Sequence, residues 1–226
     1  MTMNKLGTLT IGQAPRSDIV PILEAHLPPG LPVVHAGVLD GLDRAGIEAA
    51  FAPQPGNATL ISRMLTGDSV VLDKPAVRRV MQAKLDALEA QGCSVILVLC
   101  TGEFHGLACQ RAWLVEPDRI VPPAAAALAG ERQVGIVVPL AEQIESEFRK
   151  WSALQRPPIC AAASPYSQDE AALAHAAREL RDRGADMLIL DCMGFVERHR
   201  DIARDASGLP VVLSNALIAR LTAALV

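Results

Sequence analysis

Gln91-Gly92-Cys93-Ser94-Val95-Ile96-Leu97-Val98-Leu99-Cys100-Thr101-Gly102 reads almost like Arg183-Gly184-Ala185-Asp186-Met187-Leu188-Ile189-Leu190-Asp191-Cys192-Met193-Gly194. One constant offset lays Gly92 over Gly184, Cys100 over Cys192 and Gly102 over Gly194. In each copy a charged amphipathic stretch runs into glycine, a short apolar run follows, and Cys-x-Gly closes it. That pattern predicts a helix, a buried parallel strand and a loop at the strand's carboxyl end. Open α/β sheets bind ligands outside those strand ends. Two thiols at equivalent points therefore suggest paired cysteine chemistry across one cleft.

Working outward, the echo extends. Leu6-Gly7-Thr8-Leu9-Thr10 matches Val134-Gly135-Ile136-Val137-Val138, the first strand of each half. In the first half, the Gly12-Gln13-Ala14-Pro15-Arg16 loop follows, and Ser17 or Asp18 can cap a helix to His26. A strand is expected over 32–38, a helix over 40–51, and a hairpin from the β-prone runs 59–65 and 69–73 around Thr66-Gly67-Asp68. Pro75 to Gln91 is the strongest helix, with Val77, Val80, Met81, Leu85 and Leu88 as its apolar stripe. After Cys100 a polar stretch leads to Ala112-Trp113-Leu114-Val115 and an Ala-rich helix, started by Pro122-Pro123, to Ala129. The second half predicts helix 141–154, strand 158–162, helix 168–183 and the Cys192 strand. Strand 210–213 and helix 215–225 close the chain. Strands alternating with helices imply parallel sheets and right-handed crossovers. The fold class is α/β, with two pseudo-symmetric lobes, each a parallel sheet flanked by helices. Gly7 to Cys100 is a longer interval than Gly135 to Cys192, which places an insertion in the first lobe at about 40–73. Insertions of this size serve as lids or subunit contacts.

The 226 residues carry a net charge of −4 and 3% aromatics, with 50% hydrophobic residues. No basic run and few stacking rings argue against a nucleic-acid partner. The longest apolar runs are far short of a membrane span, and the first residues do not read as a secretory leader. Five cysteines, an odd number in apolar context, fit free thiols in a reducing cytoplasm.

A lone cysteine at a strand end reads as a small buried hydrophobe. Two at repeat-related positions, Cys100 and Cys192, read as functional. Backbone N–H groups beyond each strand can hold a carboxylate, and the start of a following helix lowers a thiol pKa. Close Cys pairs and helical His pairs are absent from the sequence, so no metal site is expected. Cys93, Cys109 and Cys160 lack repeat partners; Cys93 aligns with Ala185 and reads as packing. Gly12, Gln13 and Arg16 lie on the loop after the first strand, on the same edge as Cys100, where a glycine turn with a nearby Arg can take an anion. No dinucleotide or P-loop fingerprint occurs. Ser214 and Asn215 sit between the last strand and the last helix, where capping and ligand binding can coexist. His105 and His199 follow the cysteine loops at unequal spacing and read as solvated rather than as dyad partners. Asp191, the strand neighbour of Cys192, is expected to point to the opposite face.

Leu9-Thr10-Ile11-Gly12, Leu99-Cys100-Thr101-Gly102-Glu103-Phe104, Val134-Gly135-Ile136-Val137-Val138-Pro139, Leu190-Asp191-Cys192-Met193-Gly194-Phe195 and Leu213-Ser214-Asn215-Ala216-Leu217-Ile218-Ala219-Arg220-Leu221 carry a resemblance to the AroM family. The cysteine loops are similar, more distantly, to the aspartate/glutamate and hydantoin racemase superfamily. That resemblance implies a first lobe of 1–104 with 209–226 and a second of 105–208. The last strand and helix would return to the first lobe, and Trp113 to Ala129 would join the second. It implies a cofactor-free, two-base isomerase acting on a small carboxylate or cyclic amide, with a homodimer as the expected assembly. Cys100 and Cys192 would be the two bases. Gly12, Gln13, Arg16, Thr101, Gly102, Met193, Gly194, Ser214 and Asn215 would hold the substrate. Amino-acid racemases of this type read Cys-Asn-Thr and Cys-Thr-His or Cys-Thr-Glu at these loops, where this chain has Cys-Thr-Gly and Cys-Met-Gly. The departure weighs against a standard amino-acid substrate. Cysteine-dependent cis–trans isomerisation, decarboxylation and ligand binding without turnover are the alternatives.

Overall fold

A computed structural model of the chain describes residues 5–226. The chain divides into two compact units, the described part of Met1–Pro117 with Ala219–Val226, and Asp118–Ile218. In chain order the elements are β1 (Leu6–Thr10), α1 (Val20–Glu24), β2 (Val33–Gly37), α2 (Arg44–Phe51), β3 (Thr59–Arg63), β4 (Ser69–Asp73), α3 (Lys74–Ala90), β5 (Val95–Leu99), β6 (Trp113–Val115) and α4 (Pro117–Ala129). There follow β7 (Val134–Val138), α5 (Ile144–Lys150), β8 (Ile159–Ala162), α6 (Glu170–Asp182), β9 (Met187–Leu190), α7 (Glu197–Ser207), β10 (Val211–Leu213) and α8 (Ser214–Ala223).

The first unit holds a four-stranded parallel sheet in the order β2-β1-β5-β6. β1 and β5 are central and buried along their whole length, as continuous apolar runs in a covered parallel sheet must be. Val77, Met81, Leu85 and Leu88 of α3 pack against Leu9, Ile96 and Val98 to form the core. Asp73 caps α3 by accepting from the Ala76 N–H at 2.8 Å and also takes the Asn57 amide at 2.7 Å. Burial opposes ionisation of Asp73, but these hydrogen bonds, with one from the Gln54 N–H, prevail and hold its pKa below the ordinary value. β3 and β4 form the expected antiparallel hairpin, from Thr59 opposite Asp73 to Arg63 opposite Ser69.

The second unit repeats the plan with sheet order β10-β9-β7-β8, all parallel. β7 and β9 are its buried central strands. Leu173, Ala176, Ala177 and Leu180 turn the apolar face of α6 inward. The repeat reaches single contacts. A side chain at Gly7 on β1 would meet the Cys93 sulfur at 3.2 Å, and one at Gly135 on β7 would meet the Ala185 methyl at 3.1 Å. Residues 93 and 185 are the aligned pair, so Cys93 is a packing residue, 5% exposed.

The structure departs from the sequence reading in four places. β10 pairs with β9 rather than returning to the first sheet, since α7 ends at a left-handed Gly208 and only two residues separate that cap from the strand. β6 pairs with β5 in the first sheet instead of joining the second lobe. The carboxylate of Glu89 on α3 draws this strand in, accepting from the N–H groups of Gln110, Arg111 and Ala112 at 2.7–3.0 Å. α4 begins at Pro117, where a missing N–H costs nothing, and Pro122-Pro123 lie inside it. Neither Ser17 nor Asp18 caps α1, which starts after Ile19; the Asp18 carboxylate is taken by Arg16.

Candidate active site

Cys100 follows β5 and is 7% exposed. The Gly102 N–H points back to its sulfur at 3.3 Å, so the turn presents a backbone dipole to the thiol. Space beside Gly102 is taken by Leu60 of β3, whose methyl would lie 3.0 Å from any added Cβ. Thr101 is buried in the same turn. The hairpin inserted in the first unit thus packs directly on the cysteine loop.

The hairpin also clasps the loop after β1. A Cβ at Gly12 would collide with the Arg63 carbonyl and the Ser62 hydroxyl. The Gln13 N–H donates to the Arg63 carbonyl at 3.2 Å, and its side chain accepts from Leu65 N–H at 2.8 Å while donating to the Leu42 carbonyl at 2.7 Å. Gln13 therefore ties three loops together. Arg16 is 4% exposed. Its guanidinium makes a two-pronged pair with Asp18 at 2.6 and 2.9 Å and also reaches the Ser62 hydroxyl at 3.2 Å and the Thr10 hydroxyl at 3.4 Å. The paired carboxylate offsets the buried charge, as a buried guanidinium requires.

In the second unit Cys192 lies after β9 and is 8% exposed. The Gly194 N–H points to its sulfur at 3.5 Å, repeating the Gly102 arrangement. Asn215 supports this loop by donating to the carbonyls of Met193 at 2.9 Å and Phe195 at 2.6 Å. Its side-chain oxygen accepts from the Ala216 N–H, opening α8. Asp191, the strand neighbour of Cys192, is buried and engaged with other side chains. Its carboxylate accepts from the Ser214 hydroxyl at 3.0 Å and is ion-paired with Lys150. Glu147 lies in the same cluster and accepts the Trp151 indole N–H at 2.6 Å. Burial, then the negative charge of Asp191, pushes the Glu147 pKa up to about 7. Tyr166, from the loop between β8 and α6, places its hydroxyl 4.0 Å from the Cys192 sulfur.

His105 is largely exposed beside Glu103, at 3.5 Å. His199 accepts from the Val196 N–H through Nδ1 at 2.9 Å and packs edge-on against Phe195, so it closes the start of α7. The remaining thiols are held protonated. Burial raises Cys93; burial and then Glu89 push Cys109 up to about 11; burial and then Glu147 push Cys160 up to about 12. Tyr166 and Glu147 were not visible as site residues in the sequence. A Glu on an amphipathic helix reads as solvent-facing, and a tyrosine in a polar loop has no repeat partner. Among the described residues no group of three or more His, Cys, Asp or Glu side chains could hold a metal ion, and no helix is long and apolar enough to cross a membrane.

The family model described as AroM protein matches residues 6–226. The chain belongs to the AroM family. No curated protein sequence matches this AroM chain. Its fold is shared with solved structures at low identity. Allantoin racemase from Pseudomonas fluorescens matches with a TM-score of 0.64 and 16% identity, over 98% of the AroM chain and 90% of the other. Glutamate racemase from Aquifex pyrophilus matches at 0.61 and 14%, over 98% and 84%. An unliganded arylmalonate decarboxylase matches at 0.60 and 16%, over 98% and 91%. At these identities the likeness establishes the AroM architecture as that of the racemase-like α/β proteins.

Proposed function

We propose that this AroM-family protein is a cofactor-independent isomerase of racemase type, acting on a small carboxylate or cyclic amide at the carbon α to a carbonyl. The observation that carries the reading is the repeat itself. Cys100 and Cys192 each follow a buried central strand, and each receives the N–H of the glycine two residues on, at 3.3 and 3.5 Å. The fold likeness to allantoin and glutamate racemases supports the same reading. One cysteine, as thiolate, takes the α-proton; the electron pair left behind moves into the carbonyl as an enolate. The other cysteine, as thiol, returns a proton to the opposite face of that carbon. The proton count is unchanged, and the two cysteines exchange protonation states. Backbone N–H groups of the Cys-x-Gly turns and the hydroxyl of Thr101 would bind the carboxylate and the developing enolate, with Gly12, Gln13, Arg16, Met193, Ser214 and Asn215 shaping the loops that hold it.

A single-cysteine decarboxylation is the second reading, favoured by the fold likeness to arylmalonate decarboxylase. One experiment separates them. A panel of chiral small acids and cyclic amides is incubated in D₂O and the α-proton followed by NMR, beside an assay for released carbon dioxide with malonates. α-Proton exchange accompanied by inversion, with the inversion needing both Cys100 and Cys192, supports the isomerase; carbon dioxide release surviving loss of one cysteine supports the decarboxylase. Absence of exchange across the panel would overturn the leading reading.

A further inference from the structure

Beside Cys192 the chain has made room for one phenol. Gly194 has no side chain, and a Cβ there would lie 2.5 Å from the Tyr166 hydroxyl oxygen, 2.6 Å from its Cζ and 2.7 Å from its Cε1. All three distances are shorter than real Cβ contacts, so the ring occupies the volume that any other residue at 194 would fill. Gly194 does not adopt a left-handed backbone conformation, whereas Gly184 (φ 91°) and Gly208 (φ 73°) do. Its need for glycine is therefore spatial. The ring so placed carries its hydroxyl to 4.0 Å from the Cys192 sulfur, a long sulfur contact. The loop that brings it is itself fixed, since the Tyr166 N–H donates to the Ser164 hydroxyl at 3.2 Å. At the matching place in the first unit, the space beside Gly102 is taken by a Leu60 methyl. The two Cys-x-Gly loops share a backbone and differ in what leans on the glycine.

We propose that Tyr166 is a third catalytic residue, whose phenolic O–H donates a hydrogen bond to the Cys192 sulfur and holds that cysteine as the thiolate. This deepens the two-cysteine reading and rests on it for its place in catalysis, but the Tyr166–Cys192 pair stands or falls by itself. A thiolate accepts a hydrogen bond far better than a thiol does, so the donor lowers the thiol pKa. Tyr166 keeps its own proton throughout. When Cys192 takes a proton from substrate carbon, the phenol contact weakens as the charge passes to the enolate.

The test reads the thiol rather than turnover. The pH dependence of iodoacetamide alkylation is measured separately at Cys192 and Cys100 by peptide mass spectrometry, in the unmodified protein, Tyr166→Phe and Gly194→Ala. Tyr166→Phe removes the hydroxyl and keeps the ring; Gly194→Ala keeps the hydroxyl but drives the ring away, at a site where the displaced group is the end of a side chain. Both variants are expected to move the Cys192 midpoint to higher pH and to slow its alkylation near pH 7 by about tenfold, with Cys100 unmoved. Circular dichroism confirms that each variant is folded. Superimposable Cys192 curves in all three proteins would overturn the proposal. So would a shift in Gly194→Ala alone, because the backbone and not the phenol would then set the thiol. If the Cys192 shift is found but no substrate exchanges its α-proton, the pair survives and the isomerase reading falls.

Discussion

Glu147 and Asp191 meet carboxyl to carboxyl in the interior of the second unit, with Lys150 ion-paired to Asp191 and the Trp151 indole N–H donating to Glu147. Burial and the neighbouring negative charge raise the Glu147 pKa from 4.5 to about 7. The folded protein therefore binds this proton more tightly than the unfolded chain. The associated stability is fully present below about pH 4.5, falls through the interval between the two values, and is gone above about pH 7. Glu147→Gln copies the protonated acid, since its amide can donate to Asp191 and accept from Trp151. Its melting temperature should match the parent at pH 5 and exceed it at pH 8, by about 2–4 °C for each kcal/mol recovered. A variant less stable than the parent at both pH values would refute this account.

Substituting the two cysteines should separate chemistry from packing. Cys100→Ala and Cys192→Ala each remove a small sulfur group at a strand end, at an expected cost of about 1–2 kcal/mol. Either change alone should abolish α-proton inversion. A variant lacking only one thiol should still exchange one face of the substrate with deuterium, without inverting it. Loss of stability well beyond this range, read by urea unfolding, would mean that the thiol is chiefly a core residue.

Glu89 offers a pH test of opposite sign in the first unit. Three backbone N–H groups, led by that of Gln110, hold its pKa below the ordinary value of 4.5. Such a carboxylate contributes stability above about pH 4.5, and that contribution is lost as the pH falls through the lower, folded value. Glu89→Gln should cost about 2 kcal/mol at pH 7, where an ionised acceptor is lost, and progressively less below pH 4. Hydrogen exchange should report the change locally, as faster exchange of the Gln110, Arg111 and Ala112 amides.

Gly12→Ala should act through the hairpin. The added methyl would meet the Arg63 carbonyl and the Ser62 hydroxyl, so the hairpin must shift or the loop must open. Overpacking of this kind costs about 1–3 kcal/mol. Amide exchange across β3 and β4 should quicken, while the β9 amides of the other unit stay unchanged.

β5 and β9 were readable from the sequence because each is a short apolar run between a glycine and Cys-x-Gly, and β1 and β7 because Leu6-Gly7-Thr8-Leu9-Thr10 is echoed by Val134-Gly135-Ile136-Val137-Val138. The hairpin was readable too, since two β-prone runs flank Thr66-Gly67-Asp68. Edge strands were not. Nothing in Trp113-Leu114-Val115 says that Glu89 will hold the preceding loop against the first sheet, and nothing in Pro210-Val211-Val212-Leu213 says which neighbour it will choose. Pairing at an edge is decided by connection length and side chains remote in sequence. The same limit applied at the site. The repeat pointed to Cys100 and Cys192 because identical spacing recurs; Tyr166 and Glu147 have no counterpart in the other half. Their partners, Gly194 and Asp191, are brought to them only by the fold.

Leu60, Ser62 and Arg63 of the inserted hairpin touch both the turn beside Cys100 and the loop carrying Arg16. That double attachment acts as an evolutionary ratchet. Deleting the hairpin would uncover a guanidinium–carboxylate pair built for the interior and leave a void beside Gly102. A lineage that keeps Arg16 and Asp18 is therefore bound to keep the hairpin as well. Changes to its outward side chains, Leu65 at 63% and Val71 at 40% accessible to solvent, would leave that attachment in place.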